Sequence, residues 1–258
     1  MVRFEHIYFR RERRQILTDV SFHMKEGEQW VFLGRNGSGK TTLLEMMNGY
    51  LFPTSGRVTV LGHRYGEVDV REVRKSIGYI SQSLMEKLHP GDPVWEVVAT
   101  GLYGFLRFYQ TIPEEARAEA HAVLERLNIG RLADSPLGVL SQGERKKAML
   151  ARALLSRPRL MIMDEPCAGL DLYEREKLLA DLDVFREDGI SVVYVTHHIE
   201  EIMPMFTHVL LLEDGRVVAA GPKEEVLTAD LIRQAYQVDV EIDWYRGRPW
   251  IKVRSSQS

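Results

Sequence analysis

Gly34-Arg35-Asn36-Gly37-Ser38-Gly39-Lys40-Thr41 spells the phosphate-binding pattern G-x-x-x-x-G-K-[ST] without a gap. Its chemistry follows from residue type. Glycines let the backbone curl so that successive N–H groups point inward, a nest for phosphate oxygens at the start of a helix. Lys40 adds a point charge for β- and γ-phosphates, and the Thr41 hydroxyl suits a magnesium ion. The motif needs a strand before it and a helix after it. Gln29–Leu33 reads as a buried strand and Thr42–Met47 as a helix, so the loop implies a nucleoside triphosphate site.

A second run, Leu160-Met-Ile-Met-Asp164-Glu165-Pro166, is an apolar strand ending in two acids. An acid pair at the C-terminal end of such a strand faces the crevice where α/β sheets bind ligands. Asp164 suits magnesium there, and Glu165 suits the orientation and deprotonation of an attacking water.

These residues need an α/β scaffold to hold them, and 258 residues suffice for one large domain or two modest ones. A net charge of −3 and a pI near 6.3 leave no basic footprint for nucleic acid. The single cysteine, Cys167, allows no intrachain disulfide and fits a reducing compartment. The N-terminus lacks a signal-peptide layout, and no apolar run approaches the roughly 20 residues that cross a bilayer. The expectation is a soluble chain whose membrane role would come from a partner.

Val2–Phe9, Val20–Met24, Arg57–Leu61 and Ile77–Ile80 read as strands separated by turns, and Asn48-Gly49 closes the first helix. Asp92-Pro93 reads as a helix start with proline at the first helical position. Apolar positions 94, 98, 102, 105 and 106 then recur at helical spacing. Pro113–Leu127 reads as a further helix with Glu114 and Glu115 in its first turn. Buried parallel strands return at 160–163, 191–195 and 209–212, and 238–253 suggests a hairpin or an extended appendage. The expected fold is α/β: a P-loop NTPase (RecA-like) core with an N-terminal antiparallel β subdomain and an inserted α-helical subdomain. The expected layout is a single domain, with 1–83 and 156–237 as core, 84–155 helical and 238–258 as appendage.

Leu140-Ser141-Gln142-Gly143-Glu144 resembles the signature motif of ATP-binding cassette (ABC) ATPases, usually L-S-G-G-Q, and the following Arg145–Leu154 resembles the family's signature helix. Gln82 stands at the family's Q-loop position and Gly169-Leu170-Asp171 at its D-loop. His197 aligns with its switch histidine, and His198 reads as structural. The resemblance covers residues 1 to about 230, nearly the whole chain. It implies that Gly34, Asn36, Gly37, Ser38, Gly39, Lys40, Thr41 and Thr42 hold the phosphates of ATP and its Mg2+. Gln82 and Asp164 complete the metal environment, Glu165 is the base, and His197 fixes the γ-phosphate and water. Ser141 and Gly143 act on the nucleotide of a second copy in a head-to-tail dimer, with Asp171 coupling the two sites. A separate transmembrane permease is implied, docked beside Gln82 and a Pro90–Leu106 helix, with this subunit on the cytoplasmic face.

Two features depart from the family pattern. The signature has Gln142 and Glu144 in place of its usual third and fifth residues. Arg11 stands where the family presents a tyrosine to adenine, and a guanidinium can stack similarly. With Gly27-Glu-Gln-Trp30, these features are similar to a bacterial subgroup near the molybdenum-linked cassette ATPases. The alternative is a soluble cassette ATPase acting on a non-transport partner, but translation-type members carry two cassettes and repair-type members carry long coiled coils. A non-hydrolysing module would be expected to lack Lys40, Glu165 or His197, and all three are present.

Overall fold

A computed structural model describes residues 1–254. The chain divides into two units, Met1–Arg74 with the chain from Ser191 onward, and Lys75–Ile190. In the first, β1 (Val2–Arg11) and β2 (Arg14–Met24) form an antiparallel hairpin. Alternation sends Val2, Phe4, Leu17, Val20 and Met24 into the core while their neighbours face solvent. Both strands outrun the apolar patches that announce them, because the Arg11–Arg14 pairing carries the ladder to a two-residue turn.

β3 (Gln29–Gly34) is buried at every position and leads through the phosphate loop into α1 (Lys40–Met47). β4 (Ser55–Val60) and the short β5 (His63–Arg64) complete a four-stranded sheet of order β2-β1-β4-β5, and α2 (Val70–Arg74) follows. β4 starts at Ser55 rather than Arg57, since the expected turn residues Ser55 and Gly56 already lie in the strand.

The second unit holds β6 (Ile77–Ile80), the one-turn α3 (Gln82–Met85), α4 (Val94–Tyr103), α5 (Glu114–Arg126) and α6 (Gln142–Leu155). It continues with β7 (Leu160–Asp164), α7 (Leu172–Asp181) and α8 (Asp183–Glu187). β6 and β7 pair in parallel from Ile77–Leu160 to Ile80–Met163. α4 and α6 approach so closely at Gly101 that a Cβ there would stand 2.2 Å from the Arg152 carbonyl oxygen. Arg152 Nε donates to Thr100 Oγ1 across the same seam at 2.9 Å.

Both boundaries of α4 differ from the sequence reading. Pro93 is the N-cap of α4 rather than its first helical residue, and Asp92 accepts from Arg107 Nη2 at 2.8 Å. The helix stops at Tyr103 because Gly104 takes a left-handed C-cap, with φ +67°. Phe105 and Leu106 therefore lie outside α4, both exposed.

Back in the first unit, β8 (Ser191–Thr196) and β9 (His208–Glu213) flank β3 in parallel, and β10 (Arg216–Pro222) pairs antiparallel with β9. α9 (Lys223–Val226) and α10 (Ala229–Tyr236) precede a hairpin of β11 (Val240–Tyr245) and β12 (Arg248–Val253). The architecture is an α/β P-loop core with an antiparallel β subdomain and an inserted, mainly helical segment. No helix among the described residues is long and apolar enough to cross a membrane.

Candidate nucleotide site

The phosphate loop leaves β3 at Gly34, where a Cβ would lie 2.4 Å from the Leu212 carbonyl oxygen of β9. Only glycine lets β3 turn this close to its neighbour. Gly39 is the N-cap of α1 with φ +104°, left-handed, so it offers the first turn no side-chain acceptor, and that turn carries no acid. A helix start without its own acceptor or carboxylate suits an external anion. Ser38 Oγ is buried with no hydrogen-bond partner among the described residues. Such an orphaned hydroxyl fits a ligand acceptor.

Lys40 is buried, and its Nζ donates to the carbonyls of Gly34 at 2.7 Å and Arg35 at 3.1 Å. The turn between β9 and β10 braces the loop: Gly215 N–H donates to the Ser38 carbonyl at 3.1 Å and its carbonyl accepts from Thr18 N–H at 2.8 Å. Asn36, Gly37 and Thr41 are exposed and Thr42 is half-buried. Arg11, at the end of β1, reaches Glu45 of α1 at 3.8 Å with 62% of its side chain exposed.

His197 follows β8 and is half-buried, its ring 4.0 Å from that of exposed His198. His198 Nδ1 lies 3.5 Å from Glu200. A 3-10 turn, Ile199–Glu201, comes next. Glu201 is buried and its carboxylate accepts from Tyr194 Oη at 2.8 Å and Thr196 Oγ1 at 2.6 Å. His198 N–H donates to the same Thr196 oxygen at 3.0 Å. Buried polar groups thus tie both sides of His197. Glu201 escaped the sequence reading because a second glutamate in a polar turn gives no sign of burial.

In the second unit, Asp164 ends β7, and Glu165 follows with φ +47°. A left-handed backbone at a glutamate costs on the order of 1 kcal/mol and aims the side chain away from the strand path. Ser81 caps α3, and Gln82 is exposed with its Nε2 donating to Glu86 at 3.1 Å. Asp171 is the N-cap of α7, accepting from Glu174 N–H at 2.9 Å.

Ser141 caps α6 in a reciprocal box. Its Oγ accepts from Glu144 N–H at 3.2 Å, and its own N–H donates to Glu144 Oε2 at 3.0 Å. Glu144 also pairs with Arg131 at 2.8 Å. The Ser141 N–H holds the Glu144 carboxyl below the usual carboxylate range, helped by the Ser141 hydroxyl side and Arg131. The unusual fifth signature residue is therefore the acid of a helix cap. The Ser141 hydroxyl accepts in the cap and also faces the Glu144 carboxylate. Gly143 is buried beneath Glu174.

A family model described as ABC transporter matches residues 17–168. The chain belongs to the ABC transporter ATPase family. Among its relatives is the ABC transporter ATP-binding protein YlmA of Bacillus subtilis, 39% identical over 254 residues that cover 97% of this chain and 96% of the relative. The cbiO1 structure from Clostridium perfringens, described as part of the ABC transporter complex cbiONQ, superposes with a TM-score of 0.78 at 28% identity. It covers 90% of this chain and 92% of cbiO1. A dimeric ATP-binding cassette in a post-hydrolysis state with ADP and Pi gives a TM-score of 0.74 at 27% identity, covering 86% of this chain and 98% of its own. This cassette protein is an ATPase that binds ATP, and its relatives favour transport over the soluble alternative.

Proposed function

We propose that this cassette ATPase works as a head-to-tail dimer with a second copy of itself and drives a separate transmembrane permease from the cytoplasmic face. The observation that carries this reading is the pair of contrasting helix starts, one with a lysine and one without. α1 has an acceptor-free start with Lys40 beside it, and α6 has a start already capped by Ser141 and Glu144. The first suits strong, lasting phosphate binding. The second suits a weaker contact made only when a nucleotide on another copy arrives. The cassette dimer with ADP and Pi and the cbiONQ complex support the dimer and the permease as partners.

Within that reading the loop N–H groups from Gly34 to Thr42, with Asn36, Gly37, Ser38 and Gly39, receive the phosphate oxygens, and Lys40 exchanges its carbonyl partners for them. Arg11 covers the adenine. Thr41, Asp164 and Gln82 would hold Mg2+; hydroxyl, carboxylate and amide oxygens suit a hard ion that takes its other ligands from phosphates and water. When bound, that ion neutralises charge developing on the β- and γ-phosphate oxygens. Glu165 accepts a proton from water as the water oxygen bonds to the γ-phosphorus. The bond from that phosphorus to the bridging oxygen breaks, and ADP and phosphate leave. His197 fixes the γ-phosphate and the water, Ser141 and Gly143 donate from the second copy, and Asp171 couples the two sites.

Mixing two inactive variants tests the sharing of sites. Lys40→Ala and Ser141→Arg are each expected to abolish turnover, while mixed dimers regain one intact composite site and measurable ATPase activity. No recovery at any mixing ratio sinks the shared site.

A further inference from the structure

The chain after β10 reaches back to the turn that follows His197. Arg248, the first residue of β12, donates from Nε to the Glu200 carbonyl. Its guanidinium also lies over the Trp250 ring, 5.0 Å from the centroid, which fixes its direction. Lys223 is buried and donates from Nζ to the carbonyls of Gly247 at 3.0 Å and Pro204 at 3.3 Å. It therefore ties the hairpin loop to the segment leaving the 3-10 turn. The hairpin loop, Arg246-Gly247, has φ of +49° and +74°, the paired left-handed geometry of a tight two-residue connection. A Cβ added at Gly247 would stand 3.6 Å from Pro204 Cβ.

Glu201 holds the inner side of the same turn through Tyr194 and Thr196. Helix α10 adds a contact at the other end of the half-site. Tyr236 is half-buried beside the Gly34 backbone, and its buried hydroxyl closes no hydrogen bond of ordinary geometry among the described residues.

We propose that the C-terminal hairpin is a positioning clamp for the nucleotide site, with Arg248 and Lys223 holding the 199–204 turn so that His197 stands ready for the γ-phosphate. The inference rests on the reading of His197 given above. A two-stranded hairpin is only marginally stable by itself, and these two cations attach it to the 199–204 segment. The clamp acts on the transition state rather than on ATP affinity, since the adenine and phosphate contacts come from other residues.

The test uses the full chain as Arg248→Ala, Arg248→Lys, Lys223→Met and His197→Ala. Turnover, ATP KM and amide hydrogen exchange are measured for each. Arg248→Ala and Lys223→Met are expected to lower kcat about 3- to 10-fold with KM changed less than about two-fold. Faster exchange should be confined to the amides of 197–204. Arg248→Lys keeps a donor and should regain at least half of the lost kcat. Wild-type kcat in both Arg248→Ala and Lys223→Met, with His197→Ala inactive, overturns the clamp alone. Exchange that rises across the whole first unit, with kcat and KM shifting together, makes the two residues merely structural and also overturns it. Full turnover in His197→Ala overturns the reading of that histidine, and the clamp with it.

Discussion

Ser141 has two jobs in the proposed mechanism, and Ser141→Asp separates them. As N-cap of α6 its oxygen accepts from Glu144 N–H. An aspartate caps a helix as well as a serine does, whereas alanine costs about 1 kcal/mol. Ser141→Asp should therefore unfold within about 0.5 kcal/mol of wild type, and Ser141→Ala about 1 kcal/mol below it. Catalysis should reverse that order. A carboxylate about 4 Å from a γ-phosphate charge opposes it by roughly 4 kcal/mol at an effective dielectric near 20. That repulsion corresponds to about a 10³-fold loss of turnover. Ser141→Ala loses one hydrogen bond to a charged phosphate, about 1.5–3 kcal/mol, and so roughly 10- to 150-fold in rate. Urea unfolding and steady-state ATPase assays on the three proteins decide the matter. Ser141→Asp with wild-type turnover would show that the α6 start never meets a nucleotide. A fall in stability equal to that of Ser141→Ala would refute the capping argument instead.

Glu165→Gln should bind ATP nearly as wild type and turn over roughly 10² to 10⁴-fold more slowly, the usual worth of a general base; activity within a few-fold of wild type removes Glu165 from that role. Arg11→Ala should weaken ATP binding about 2- to 30-fold and Arg11→Tyr should restore it, because the exposed, 3.8 Å pair with Glu45 leaves the guanidinium able to stack. Unchanged affinity in a binding titration would end that assignment. The depressed Glu144 carboxyl stabilises the fold at neutral pH, and its contribution disappears as pH falls from the ordinary value of 4.5 through the lower folded one. The stability gap between wild type and Glu144→Ala, measured by urea unfolding from pH 7 to pH 3, should shrink across that window; a constant gap contradicts it.

The phosphate loop and its flanks were legible because glycine spacing and an apolar run are local signals, and β3 and α1 stand where they were expected. The parallel strands were legible for the same reason, each being a short continuous apolar run. Helix α4 was overextended because Phe105 and Leu106 continue its spacing, while Gly104 ends it through a backbone angle that periodicity does not register. The contributions of Glu201, Lys223 and Arg248 were not legible. Each is a charged residue in a polar stretch, and its role arises from a carbonyl or hydroxyl that only the fold brings near.

The two helix starts also bear on why such a dimer can open again. Lys40 is already satisfied by the Gly34 and Arg35 carbonyls, so in the proposed mechanism phosphate binding would exchange partners for a cation that is already buried. At α6 the first-turn carboxylate of Glu144 occupies the Ser141 N–H and is drawn off by Arg131. In the proposed dimer the helix start would meet a phosphate with neutral donors and a nearby negative charge. A lysine there would hold both copies shut after hydrolysis. Uncharged donors worth about 1.5–3 kcal/mol each against a charged phosphate would be strong enough to sense the γ-phosphate and weak enough to release once it has gone.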